Sequence, residues 1–176
     1  GYRASLMQDR INFTAAIFRE VWDDLQIATV SPSNLIYWIN LGEAHTEGFE
    51  LEGAFSLNDV FTLRTTYSYN NAEVIETVIF ADGEGDNAYK GDVLPGSPED
   101  EWNIALDYNR TLGALEVDAT ISATNVGEMY TALNEGFYNY QKLDSFMTMD
   151  ISAGVTLRNF RVGAFVNNVA NKIGRA

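Results

Sequence analysis

The chain has 176 residues, 46% of them hydrophobic, a formal net charge of −14, a single histidine and no cysteine. That length suits one domain. The acidity excludes nucleic acid as a partner, because phosphate contacts need a basic surface, and the missing thiols exclude a disulfide framework, a thiolate metal site and a thiol nucleophile.

Period-2 alternation of apolar and polar residues runs through the chain and predicts about eight strands. The first, 11–21, alternates loosely: Ile11, Phe13, Ala15 and Ile17 against Asn12, Thr14 and Ala16. A second is expected at 24–30 after a short turn at Trp22-Asp23. Strands 46–57 and 60–70 flank Asn58-Asp59, with Phe61, Leu63, Thr65, Tyr67 and Tyr69 on one stripe. Strands 101–110 and 114–125 flank Thr111–Gly113. Strands 147–157 and 160–168 flank Arg158-Asn159. No segment of helical length shows a 3.6-residue period. The longest apolar run, Leu35 to Ile39, falls far short of the ~18 residues of a membrane-spanning helix.

The connections alternate short and long, the long ones being Ser31–His45, Asn71–Asp100 and Val126–Phe146. Short turns on one rim and long loops on the other mark an outer-membrane barrel. A ten-residue strand tilted by ~40° rises roughly 25 Å, the height of such a barrel's apolar band. Aromatics sit at both ends of the apolar stripes: Tyr67, Tyr69 and Trp102 near the long loops, Phe61, Tyr108 and Phe160 near the short turns. Interfaces favour such side chains, apolar at one end and wet at the other.

The opposite stripes carry Glu20, Glu50, Glu52, Asp107, Glu116, Asp118 and Asp150, with Arg64 and Arg161 to balance them. An eight-stranded barrel has room only for packed side chains, and unpaired ions there cost several kcal/mol each. The carboxylates therefore point to a wide, water-filled lumen in a larger barrel, which Glu50, Glu52, Arg64, Asp107, Glu116, Asp118 and Asp150 line. A soluble sheet with a solvated polar face fits the same alternation. Exposed aromatics on loops can stack on ligands. Trp38, Tyr89, Tyr130, Phe137, Tyr138 and Tyr140 are the candidates to face one, and packing of these loops against themselves is the competing reading. Asp82 to Asp86 spaces carboxylates two apart, as a calcium loop does, yet its twelfth position is Val93 where a glutamate is required. His45 has no second histidine to join it, and no G-x-S-x-G turn exists. No catalytic residue, metal site or cofactor is expected.

Several stretches, in order, resemble the later barrel strands of TonB-dependent outer-membrane receptors. Asn40 and Gly42 precede Gly48-Phe49-Glu50. Tyr67 to Ala72 reads Tyr-Ser-Tyr-x-x-Ala. Leu94 to Pro98 reads Leu-Pro-Gly-x-Pro. Asn167 to Lys172 closes the series. The resemblance covers nearly the whole chain. It implies an all-β fold: an antiparallel transmembrane segment of a larger, about 22-stranded barrel, with residues 1–176 forming a partial barrel domain. The family's plug, energy-coupling box and final strand have no counterpart in this sequence, and the start at Gly1 suggests an excised or processed piece. The implied function is uptake of a scarce nutrient (a ferric siderophore, vitamin or oligosaccharide) across a Gram-negative outer membrane. The implied partners are membrane lipid, a small-molecule or metal-chelate substrate, and the TonB complex through the plug. Two other classes fit the residues: a self-contained eight-stranded barrel acting as an adhesin or structural protein, and a soluble β-sandwich binding module.

Overall fold

A computed structural model of the protein describes residues 1–79 and 87–172. The described residues form twelve strands and no helix. In chain order these are β1 (Tyr2–Leu6), β2 (Ile11–Trp22), β3 (Gln26–Val30), β4 (Ile36–Asn40), β5 (Ala44–Ser56), β6 (Phe61–Val74), β7 (Asp100–Leu112), β8 (Leu115–Val126), β9 (Met129–Tyr130), β10 (Lys142–Leu143), β11 (Phe146–Leu157) and β12 (Phe160–Val166). Eight of them make one antiparallel sheet in the order β1-β2-β5-β6-β7-β8-β11-β12. With the hairpins β3–β4 and β9–β10 set aside, every strand pairs with its neighbours in the chain. The sheet is an up-and-down meander.

The strands are long because their alternation is unbroken. β6 runs 14 residues and β5 and β7 run 13 each, against a soluble mode of about five or six. Short turns join them pairwise at one rim. In one, the Asn58 side chain accepts from the Val60 and Phe61 amides, both at 2.9 Å, which folds the chain back within four residues. Beside it, Arg10 Nη2 donates to the carbonyls of Ser56 at 3.4 Å and Leu57 at 3.3 Å, tying two adjacent turns together.

One expected wall strand is corrected. Residues 24–30 do not join the sheet; Gln26–Val30 pairs only with β4, and Trp22 runs into a long loop rather than a short turn. The eighth wall strand is instead β1, whose period is too short to read from sequence. Its turn holds Met7, Gln8 and Asp9 at φ 53°, 57° and 66°, a left-handed stretch without glycine. The Leu35 to Ile39 run is the second arm of the β3–β4 hairpin.

The sheet is open. Among the described residues β1 pairs only with β2, and β12 only with β11. No second layer covers it among the described residues. Both the eight-stranded closed barrel and the two-layer sandwich are thereby ruled out for this arrangement. The segment 80–86, including the Asp82 to Asp86 carboxylates, lies outside the described residues.

Candidate functional site: the acid-lined face and its loop rim

Register decides which side chains share a face. In β5–β6 the pairs Glu50↔Ser68, Glu52↔Thr66 and Ala54↔Arg64 stand together. β6–β7 adds Thr66↔Asn103 and Thr62↔Asp107, and β7–β8 adds Asp107↔Thr120, Asn109↔Asp118 and Thr111↔Glu116. β8–β11 adds Asp150↔Ser122. All seven residues expected to line a lumen therefore lie on one face of the sheet.

The other face is apolar. Its residues include Ile17 at 84% exposure and Val162 at 76%, with ring pairs Phe49–Tyr67, Phe49–Tyr69 and Phe61–Tyr108 at centroid distances of 5.7, 5.6 and 5.2 Å. From Phe61 to Tyr67 and across the residues paired with them, no charged side chain stands on this face among the described residues; Asp100 stands opposite Tyr69. Charges return at the long-loop end, where Arg19 meets Glu47 at 3.6 Å and His45 lies 3.8 Å from Glu73.

On the acidic face two cations are already used. Arg64 donates from Nε and Nη2 to both Asp107 oxygens, the second at 2.9 Å, and Thr120 donates to Asp107 at 2.7 Å. Arg161 reaches from β12 across β11 to Asp118, at 2.8 Å. The residue it crosses is Gly154; a Cβ there would stand 2.9 Å from Arg161 Nη2 and from both Asp118 oxygens. Glu50, Glu52 and Glu116 have no ion-pair partner among the described residues. A hollow of about 480 Å³ is lined by Glu50, Glu52, Thr66, Ser68, Glu101 and Asn103. A second, of about 510 Å³, opens toward the long loops between Phe18, Trp22, Asn70, Pro95 and Glu101. Asn70 pins the roof of that hollow: its Nδ2 donates to Ser97 Oγ at 2.7 Å, and its amide to the Glu99 carbonyl at 2.8 Å.

The loops hold what the wall does not, a buried apolar cluster. Ile39, Leu41, Val74, Ala88, Leu133 and Phe137 form its centre, and Leu25, Ile27, Val78, Leu94 and Tyr140 pack on it. The candidate ligand-facing aromatics divide accordingly. Trp38 at 70% and Tyr138 at 62% face solvent, and Tyr89 is half-exposed. Tyr130 and Tyr140 stack on each other, 5.5 Å apart and 11° from parallel. Phe137 is 3% exposed, which corrects its placement among ligand-facing residues: it is a core side chain. Burial pushes the Tyr140 phenol above its ordinary pKa, with Tyr130 and Glu135 adding to the shift. Lys142 is also raised, chiefly by its hydrogen bond to Glu128, whose carboxylate lies 2.7 Å away.

Sequence reasoning missed Asn70, Asn134 and the buried loop residues. The one available signal was the alternation inside Leu35 to Ile39. Tyr37 and Ile39 turn toward the cluster while Ile36 and Trp38 turn outward.

A family model described as TonB dependent receptor-like, beta-barrel, matches residues 1–169. The metal-pseudopaline receptor CntO of Pseudomonas aeruginosa (strain UCBPP-PA14) is 27% identical over 175 residues, covering 98% of this chain and 23% of its own length. The siderophore receptor PiuA from Acinetobacter baumannii superposes with a TM-score of 0.68 at 21% identity, over 97% of this chain and 23% of that one. The copper transporter OprC superposes with a TM-score of 0.73 at 17% identity, over 94% and 24%. The chain thus spans less than a quarter of the length of the receptor CntO, and the two structural likenesses show the fold alone.

Proposed function

This chain belongs to the TonB-dependent receptor-like β-barrel family, and on that premise we propose that it is a wall sector, with its outer-rim loops, of a Gram-negative outer-membrane uptake receptor. The apolar face meets lipid and the carboxylate face borders the aqueous lumen. The ligand is a scarce nutrient. A metal chelate is favoured over a vitamin or oligosaccharide by the likeness to a metal-pseudopaline receptor. Energy arrives through TonB by way of the family's plug, as the resemblance implies. Trp38, Tyr89, Tyr138 and the Tyr130–Tyr140 pair are the rim aromatics proposed to meet the ligand, and Glu50, Glu52 and Glu116 the carboxylates proposed to line its path. The reading assigns no reaction chemistry and no cofactor to the wall.

The observation that carries this reading is the division of the sheet: one face without charge along the middle of its strands, the other carrying carboxylates, of which Glu50, Glu52 and Glu116 have no ion-pair partner among the described residues. A charged side chain at mid-bilayer is expensive, so an uncharged band along the strand middles is what lipid contact selects. Spin labels at Leu63, Leu106 and Ile151 of the full-length protein in liposomes test it. Oxygen dissolved in the bilayer should relax them strongly and a polar nickel reagent weakly; the reverse order refutes lipid contact. Uptake is tested separately, in cells lacking their own metal-chelate receptors and supplied with the full-length gene. Radiolabelled nickel, zinc and iron chelates should accumulate, and a protonophore should abolish the accumulation. Uptake that ignores the protonophore contradicts TonB coupling.

A further inference from the structure

The buried apolar cluster of this protein lies at its long-loop rim, where the connections meet the end of β6. The three long loops, through residues 23–43, 75–79 with 87–99, and 127–145, each supply part of a single apolar cluster: Ile39 and Leu41 from the first, Ala88 from the second, Leu133 and Phe137 from the third. Each loop alone has too little apolar surface to hold a fold, since about eight to ten residues of backbone entropy outweigh one or two buried side chains. Together they close a core in which Leu41 and Val74 are fully buried.

Polar seams join the same three segments. Between the first and second loops, the Ile75 amide donates to the Glu43 carbonyl at 3.0 Å. Between the second and third, Asn134 Nδ2 donates to the Asn87 carbonyl at 3.0 Å and to the Asp92 carboxylate, which also accepts the Tyr89 amide at 2.8 Å. The Gly96 amide donates to the Tyr130 carbonyl at 2.8 Å. A half-buried amide that satisfies two segments at once cannot follow one of them away without leaving the other unpaired.

We propose that these three loops are one cooperative unit, a pre-folded cap that opens, closes or unfolds as a body, with Phe137 as its central side chain and Asn134 as its seam. The rim aromatics Trp38, Tyr89 and Tyr138 are then held in fixed relation by a shared core, and no single loop carries a binding determinant that can be moved alone. The claim concerns local stability and stands whether or not the ligand is a metal chelate.

Hydrogen exchange of the full-length protein in detergent micelles tests it, because a cooperative unit opens with one free energy and its amides respond together. Phe137→Ala should accelerate exchange by at least about tenfold not only in 127–145 but also in Ile36–Asn40 and 87–92. Tyr138→Ala, one residue away and solvent-facing, should leave all three segments unchanged. The reciprocal variant Ile39→Ala should accelerate 127–145. Acceleration confined to the mutated loop in both reciprocal variants overturns the proposal. Should Phe137→Ala not assemble, Asn134→Ala removes only the seam and is read at the same three segments by the same criterion.

Discussion

At the scale of single residues, the wall tolerates substitution unevenly, and backbone proximity decides where. Gly48 lies where β2, β5 and β6 crowd; a Cβ on it would meet the Tyr69 carbonyl oxygen at 2.0 Å and Phe18 Cζ at 2.8 Å. The first contact is backbone and cannot swing aside. Gly48→Ala should therefore cost about 3 kcal/mol, the upper range for overpacking, read as a lowered midpoint of thermal unfolding in detergent. At Gly154 the same added methyl meets only the ends of Arg161 and Asp118, so the ion pair can shift and the cost is small. The titrating residues of the third loop make a second expectation. Tyr140 and Lys142 are both raised above their ordinary values. A group whose folded pKa exceeds its unfolded one stabilises below the unfolded value and loses that contribution as pH rises through the folded one. The third loop should thus loosen only above about pH 10, where unfolded tyrosine and lysine deprotonate. Tyrosine ultraviolet titration should show a component that ionises above the ordinary phenol value, and Tyr140→Phe should remove that component.

At the scale of elements, a strand of this sheet is two surfaces back to back, and one substitution should read them apart. Leu106 sits at mid-height on the uncharged face, paired with Leu63 and Ile121. Leu106→Arg should cost about 2–4 kcal/mol, as charges at a bilayer midplane do. Thr66→Arg, at similar height on the acidic face between Glu52 and Asn103, should cost far less and gain from the neighbouring carboxylate. Urea unfolding from lipid vesicles compares the two; equal costs contradict a lipid-facing stripe. The elements misread from sequence have a common cause. Gln26–Val30 and a wall strand share the same local alternation, and only the partner distinguishes them. β3 finds β4 at a distance of a tight turn, with the Ser31 amide donating to the Leu35 carbonyl at 2.9 Å. β1, at five residues, is too short for its period to stand out, and it is fixed by pairing with the much longer β2.

At the scale of the whole molecule, the sheet is an arc with two free edges among the described residues. Each free edge exposes unpaired amides and carbonyls, and the side chains of β12 are exposed along its full length. An edge of this kind, with an apolar face beside it, templates association. Residues 1–176 expressed alone should therefore aggregate on removal of denaturant even with detergent present, whereas the full-length protein should refold. A monodisperse, β-rich 176-residue species in micelles would contradict an arc that needs further strands. The same geometry explains why the wall has almost no buried core. On the proposed reading, a single-layer sheet burying neither face relies on lipid on one side and on lumen contents on the other. The loops, with the end of β6, pack on themselves.

The sequence by itself determined the all-β class, the length of the wall strands, the sorting of carboxylates from aliphatics onto opposite faces, and the alternation of short turns with long loops. Period 2 is a local property, and a local property can be read along a chain. The tertiary structure alone decided that Gln26–Val30 leaves the wall, that Tyr2–Leu6 enters it, that Arg161 reaches Asp118 over Gly154, and that Phe137 is buried rather than offered to a ligand. Each of these depends on which distant segment comes to lie alongside. A loop aromatic reads the same in sequence whether it meets solvent or the side chains of other loops, and a buried cluster shared by residues nearly a hundred positions apart, such as Phe137 and Ile39, has no local signature.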